Sequence, residues 1–229
     1  MLFTSKVQII GEFIMSLIPI VSDEEASPEV QALFKNVKKM YGRVANAIRV
    51  AAHTPRVAQV LFGFIVATQR SEVSGSLTKK IKALVGLKTS LLNGCNYWIS
   101  HKTTLGRGLG FSNVLVDAID GDYLTSNLFS ADEKAALRWS EIVTMKLYHS
   151  EPGRPSQSPE AMAELKKYFS SEQIVELTIV IGHNNFWNRF TDSLEIDMET
   201  DELQEKFKKS TKVNIEDYTN FMKDCWWNR

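Results

Sequence analysis

Apolar residues recur along this chain at the three-and-four spacing of a helix face. Leu77, Ile81, Leu84, Val85, Leu91 and Leu92 trace one stripe, with Lys88 set into it, and Ile174, Leu177, Ile181 and Phe186 trace another. This spacing gathers apolar side chains on one side of a helix, which is stabilised when that side packs against a neighbour. The start signals agree. Ser27-Pro28, Thr54-Pro55 and Ser158-Pro159 each set a hydroxyl before a proline. The hydroxyl accepts from an otherwise unpaired amide, and proline has no amide to leave unpaired. Ser130 with Glu133 and Ser170 with Gln173 read as capping boxes, and Gly42 and Gly110 as stops. No stretch alternates with period two for long enough to be a strand. The pattern predicts an all-α, multi-helix bundle.

Three segments follow. Residues 1–15 read as a terminal extension, with Met15 as an alternative start. Two apolar clusters lie near this end, but Glu12 breaks them, and a spanning helix needs about 20 continuous apolar residues. Lys6 before an apolar run faintly resembles a signal peptide, though no small-residue cleavage site follows. Residues 16–197 read as the helical domain. Within it, residues 149–159 hold three of the six prolines and form a loop. A charged run begins at Met198 and opens a helical tail, 198–229, that ends in Asp224-Cys225-Trp226-Trp227. That apolar tip docks either on the body of the chain or on a neighbouring subunit.

Composition narrows the function. The 229 residues carry 27 basic and 27 acidic side chains, so the basic excess of a nucleic-acid binder is missing. Two cysteines cannot staple a chain of this length, and 44% hydrophobic content is too high for a disordered one. These features predict a cytoplasmic protein with no membrane or nucleic-acid partner. The four histidines, His53, His101, His149 and His183, have no metal-ligand spacing, and no phosphate loop or serine elbow is present. Neither a metal nor a cofactor is expected.

The chemistry concentrates after Asn93-Gly94, where a second helix starts at Cys95. A helix N-terminus favours a thiolate. At about 100° per residue, Trp98 and Lys102 share the face of Cys95, and His101 lies at its edge beside Trp98. The plainer reading stands beside this one. Cys95 is then a small buried hydrophobe, Trp98 is core, and Lys102 reaches water along its stem.

The run Asn93-Gly94-Cys95-Asn96-Tyr97-Trp98 resembles the motif region of the alkyl hydroperoxidase D-like, carboxymuconolactone decarboxylase family. Ile18 to Gly42, Arg43-Val44-Ala45-Asn46 with His53-Thr54-Pro55, and Asn185 to Asp192 extend the resemblance over about residues 16–197. The resemblance implies a helical bundle assembled as a homo-oligomer, a trimer or hexamer and less commonly a dimer. It also implies antioxidant, peroxiredoxin-type oxidoreductase activity, in which a cysteine pair reduces hydroperoxide while a glutamate and a histidine relay protons. This chain departs at those positions. The second cysteine is Trp98, the glutamate position is Ala83, and the histidine position is Lys102, with His101 one residue earlier. Tryptophan can neither attack nor form a disulfide, so the two-cysteine cycle is closed to it.

Three readings remain. Cys95 acts as a lone redox thiol, helped by Lys102, with Cys225 as a distant resolving candidate. Alternatively, the protein is a non-redox decarboxylase or lyase acting on a small organic acid. His101, Lys102 and Tyr97 then move protons, Arg107 or Arg189 holds the carboxylate, and Trp98 and His183 line the pocket. The third reading is a ligand-binding scaffold without catalysis. A shift of 93 residues also lays Leu84 on Leu177 and Cys95 on Asn188, which suggests a duplicated helical hairpin.

Overall fold

The computed structural model describes residues 16–209 and 212–228, so the extension assigned to residues 1–15 lies outside them but for its boundary. Twelve α-helices follow one another among the described residues. They are α1 (Pro28–Tyr41), α2 (Asn46–Ala51), α3 (Pro55–Gln69), α4 (Ser71–Ser74), α5 (Lys79–Asn93) and α6 (Asn96–Gly108). Then come α7 (Asn113–Asp120), α8 (Ala131–Thr144), α9 (Ser158–Leu165), α10 (Ser171–Ser193), α11 (Asp201–Lys209) and α12 (Ile215–Lys223). No strand occurs among the described residues, and none of their helices is long and apolar enough to cross a membrane.

Most of the start signals act as read. Ser27 accepts from the Val30 amide at 3.3 Å, and both capping boxes form, Ser130 with Glu133 and Ser170 with Gln173. Two differ. Thr54 donates back to the Ala51 carbonyl at 3.0 Å, closing the preceding turn rather than capping α3. Ser158 lies inside the first turn of α9, with Gln157 at the cap. The proposed hairpin echo also stops short. Cys95 sits at the break between α5 and α6, where Gly94 takes a left-handed φ of 67°. Its partner in the shift, Asn188, is buried inside the unbroken 23-residue helix α10.

Helix α5 is the hub, packed against α6, α8 and α10. Leu84, Val85 and Leu87 on α5 and Leu177, Val180 and Ile181 on α10 are fully buried. Cores of this kind tolerate loss of side-chain volume poorly. Leu177→Ala is expected to destabilise the fold by about 2–5 kcal/mol, read as a lower urea midpoint with an unchanged slope. A change below about 1 kcal/mol would mean that α10 does not depend on this contact.

The tail folds back onto its own chain. Helix α12 lies on α1 and α3, where Phe221 meets Phe62 edge-on at 5.2 Å and the Tyr218 hydroxyl donates to the Gly63 carbonyl at 3.3 Å. The Trp226 indole donates to the Arg56 carbonyl at 3.2 Å. Helix α11 presses on α6 so closely that a Cβ on Gly108 would stand 2.5 Å from the Lys208 carbonyl oxygen. Of the two docking readings, the structure supports the body of the chain.

Candidate active site

Between the end of α3, the middle of α6, α10 and α11 lies a cavity of about 70 Å³. Phe62, Ile65, Trp98 and Trp187 give it apolar walls, and Phe207 of the tail closes one side. Into this apolar space the chain sets Arg43, Arg70, His101, Lys102 and His183, all at least nine-tenths buried.

One charge is neutralised by a carboxylate from the tail. Ala45, at the cap position of α2, has no side-chain oxygen to receive the free amides of that helix. Glu199 and Tyr97 take its place. The Asn46 amide donates to Glu199 Oε1 at 2.6 Å, and the Ala47 amide donates to the Tyr97 hydroxyl at 3.1 Å. That hydroxyl donates in turn to Glu199 at 2.6 Å. Arg43 Nη1 lies 3.1 Å from one Glu199 oxygen and His101 Nε2 2.8 Å from the other, both off the line of a good hydrogen bond. Burial pushes the Glu199 carboxyl up, but His101, Arg43 and Tyr97 together hold it well below the usual carboxylate range. Tyr97 is pushed well above the usual phenol range by burial and by Glu199. It is therefore a fixed donor within this network.

The other half of the cavity has no such partner. Two buried lysines elsewhere on the hub have carboxylates, Lys82 with Glu176 at 2.6 Å and Lys88 with Glu141 at 3.2 Å. Lys102 has none within ion-pair distance among the described residues. It donates to Gln69 Oε1 at 2.9 Å and lies 5.4 Å from the centre of the Trp98 ring. Its stem rests on Gly86, where a Cβ would approach Lys102 Cε to 3.2 Å. Burial, with the Arg70 charge adding to it, brings the Lys102 ammonium down from 10.5 to about 7. The amine is thus available unprotonated near neutrality.

His183 is the second group able to carry a proton. The Thr68 hydroxyl donates to the Phe64 carbonyl at 2.8 Å, so at 3.0 Å from His183 Nδ1 it acts as the acceptor. This assigns the proton to Nδ1 and leaves Nε2 with a free lone pair. Burial and the nearby Lys102 hold His183 well below its usual value, as a neutral base. Arg70 stacks 4.1 Å over the Tyr41 ring, and its Nε and Nη2 have no hydrogen-bond partner among the described residues. Gln69 Nε2 and Trp187 Nε1 are likewise buried donors without an acceptor. The carboxylate that Arg70 feels, Glu72, is paired with Lys79 at 2.5 Å. The cavity therefore has spare donors and spare positive charge, the complement of an anion with an apolar body.

The structure brings together His101, Lys102, Trp98 and His183 of the residues singled out in the sequence. Tyr97 adjoins them, stacked on His101 and bonded to Glu199, and the others lie apart. Arg107 is exposed and bonds Asn113, while Arg189 is exposed and bonds the Asn185 side chain at 2.8 Å. Cys95 is completely buried, with Thr191 Oγ1 at 3.5 Å, and does not line the cavity. Burial, aided by Asp192, pushes its thiol up to about 11, which outweighs the helix N-terminus expected to lower it. Cys225 is also buried, and the two cysteines are not joined. Neither thiol is expected to react with a disulfide reagent at pH 7 in the folded protein, and both should react in denaturant. Rapid labelling of Cys95 under native conditions would contradict this burial.

Arg43, Arg70 and Glu199 were not legible as site residues. Arg43 begins a segment that carries the family resemblance, which was its one signal; Arg70 and Glu199 carried none. Among the described residues, no group of three or more His, Cys, Asp or Glu gathers where it could hold a metal.

No family model matches the chain. Over 124 residues it is 26% identical to the uncharacterized protein YdfG of Bacillus subtilis (strain 168), covering 51% of this chain and 74% of that protein. Solved structures are similar over more of it. One is a protein of unknown function from Agrobacterium tumefaciens, assigned provisionally to AhpD-type antioxidant defence. It is 25% identical, with a TM-score of 0.56 over 66% of this chain and 97% of that one. An uncharacterized peroxidase-related protein from Ralstonia eutropha JMP134, with an alkylhydroperoxidase AhpD core, is 16% identical, with a TM-score of 0.67 over 87% of this chain and 98% of that one. The debrominase Bmp8, solved as a cysteine-to-alanine variant with 2,3,4-tribromopyrrole, is 19% identical, with a TM-score of 0.67 over 86% of this chain and 98% of that one.

Proposed function

We propose that this chain, which has the alkyl hydroperoxidase D-like fold of the carboxymuconolactone decarboxylase superfamily, uses that fold for thiol-independent proton-transfer chemistry on a small organic acid. The observation that carries this reading is the makeup of the cavity. Arg70 and Lys102 stand there without a carboxylate partner among the described residues, beside apolar walls and away from both cysteines. In this reading, Arg70 and Gln69 receive the carboxylate, Trp98, Trp187 and Phe62 enclose the apolar body, and His183 or Lys102 moves the proton. His101 is committed to Glu199 and positions the tail that closes the cavity. The debrominase complex adds a precedent for a small ring bound by a protein of this fold. The thiol peroxidase alternative is disfavoured by the burial and raised pKa of Cys95.

Trp98 and Trp187 make binding directly readable by fluorescence. Phenylacetate is expected to change their emission saturably, whereas the neutral phenylacetamide should bind far more weakly. Arg70→Gln should weaken phenylacetate by about tenfold to a hundredfold, the equivalent of one lost charge-assisted hydrogen bond of about 1.5–3 kcal/mol. Equal affinity for the acid and the amide would rule out the proposed carboxylate site.

We also propose that the chain assembles with copies of itself through an apolar ridge. Val57, Val60 and Phe64 on α3 are exposed, as are Val175, Ile179 and Phe186 on the adjoining α10. Such a ridge on two packed helices suits a second copy of the same surface. Light scattering should give a multiple of the 25.9 kDa chain mass, and Ile179→Asp should lower it.

A further inference from the structure

An unpaired lysine and a neutral histidine share this cavity, and their chemistry differs from simple acid–base work. We propose that Lys102 is an amine nucleophile that forms an imine with the carbonyl of a small oxo acid, while Arg70 receives the carboxylate of that acid. The proposal rests on the organic-acid reading above and narrows its substrate class.

Four observations converge. Lys102 lines the cavity, and its amine has a neutral acceptor, Gln69 Oε1 at 2.9 Å, as its hydrogen-bond partner, whereas the buried Lys82 and Lys88 are each tied to a carboxylate. Gly86 leaves room for its stem, and Asn184 Oδ1 also stands near that glycine, so the lysine occupies a shaped slot. Gln69 and Arg70 are consecutive residues at the end of α3, which holds the amine and the guanidinium at one wall of the same small cavity. Arg70 offers two buried donors without an acceptor. A cationic neighbour and an apolar setting are the two conditions that leave an amine unprotonated and nucleophilic.

The Nζ lone pair forms a bond to the carbonyl carbon while the carbonyl π pair moves to oxygen. Proton transfer from nitrogen to that oxygen gives a neutral carbinolamine. With one further proton from solvent the oxygen leaves as water, and the nitrogen pair forms the iminium double bond. Amine, carbonyl and one proton thus yield iminium and water. The iminium then draws electrons from the adjacent C–H bond. The unprotonated Nε2 of His183 accepts that proton, and the C–H pair becomes the enamine double bond. Hydrolysis returns the lysine.

Borohydride tests this directly, because hydride delivered to the iminium carbon leaves a stable secondary amine. The protein is incubated with phenylpyruvate and sodium cyanoborohydride, and the digest is read by mass spectrometry. The expected result is a reduced adduct on Lys102, with trypsin no longer cutting after it and with labelling suppressed by excess phenylacetate. Lys102→Met, checked for folding by circular dichroism, should lose at least nine-tenths of the adduct. An adduct confined to other lysines, or one unchanged in Lys102→Met, overturns the proposal. Phenylpyruvate that alters tryptophan emission without forming an adduct overturns the imine but leaves the organic-acid site standing. If it neither binds nor reacts, and phenylacetate fails to bind as well, both readings fall.

Discussion

Glu199→Ala is expected to destabilise the protein by about 3–5 kcal/mol, the range seen when one member of a buried ion pair is removed. Glu199 is completely buried at its side chain and answers Arg43, His101, Tyr97 and the Asn46 amide at once. Its removal leaves a buried guanidinium without a counter-charge and a helix amide without an acceptor. Neither group can reach water without movement of α2 or the tail, so the loss should be large for one exposed-looking segment of sequence. The urea midpoint at pH 7 measures it. Earlier tryptic cutting at Lys206, Lys208 and Lys209 on α11 should accompany the shift, because the latch that holds the tail is gone. A loss below about 1 kcal/mol would mean that the network is closed by groups other than Glu199.

The pH dependence of this effect has a definite sign. The folded-state pKa of Glu199 lies below the ordinary value of 4.5. Its contribution is therefore complete above pH 4.5 and is lost as pH falls from there through the lower folded value. The wild type should lose its advantage over Glu199→Ala progressively below pH 4.5. An advantage that stays constant down to the acid transition would argue against an ionised Glu199 in the fold.

Lys102→Met is expected to act in the opposite direction, stabilising the fold while removing the proposed chemistry. The lysine is brought from 10.5 to about 7 by burial, which corresponds to a cost on the order of 5 kcal/mol when it is protonated in the cavity. Methionine keeps the length of the stem beside Gly86 and Trp98 and carries no charge. A gain of about 2–4 kcal/mol at pH 7 is the expected outcome, read from the urea midpoint. The sign again follows from linkage. Between pH 7 and 10.5 the unfolded chain holds a proton at this position that the folded chain has released. The wild type should therefore gain stability as pH rises through that window, and the variant should gain less. Lys88→Met provides the contrast. There the removal takes from Glu141 one of its two cationic partners, Arg138 being the other, and leaves the Ile119 carbonyl without its donor, so stability should fall. If Lys102→Met and Lys88→Met destabilise alike, Lys102 is an ordinary paired lysine and its proposed role fails.

Helix starts and helix faces could be read from the chain because both depend on neighbours a few residues apart. Ser130 with Glu133 and Ser170 with Gln173 form the boxes that their spacing implies. The stripe through Ile81 and Val85 and the stripe through Leu177 and Ile181 become the buried contact between α5 and α10. The resemblance around Asn93 to Trp98 led to the right fold and to three cavity residues, Trp98, His101 and Lys102. It misled at Cys95. The local rule, a thiol at a helix start, omits the burial and the neighbouring Asp192 that raise its pKa.

Charges that act across the fold lay beyond that local range. Arg107 lies just beyond the motif and Arg189 in a later segment that shares the resemblance, yet both are exposed. Arg43, Arg70 and Glu199 lie outside the motif and meet His101 and Lys102 only through the fold. Glu199 stands 102 residues beyond Tyr97, whose hydroxyl it accepts. No periodicity within one helix encodes such a pairing, since it depends on where the tail returns. Local spacing thus settled that the chain is helical, where its helices begin and which faces are buried. Only the packing of α3, α6, α10 and α11 around one cavity decided which ionisable groups lack a partner. Burial and the absence of a counter-charge are properties of the whole assembly of helices, and they turn an ordinary lysine into a candidate nucleophile.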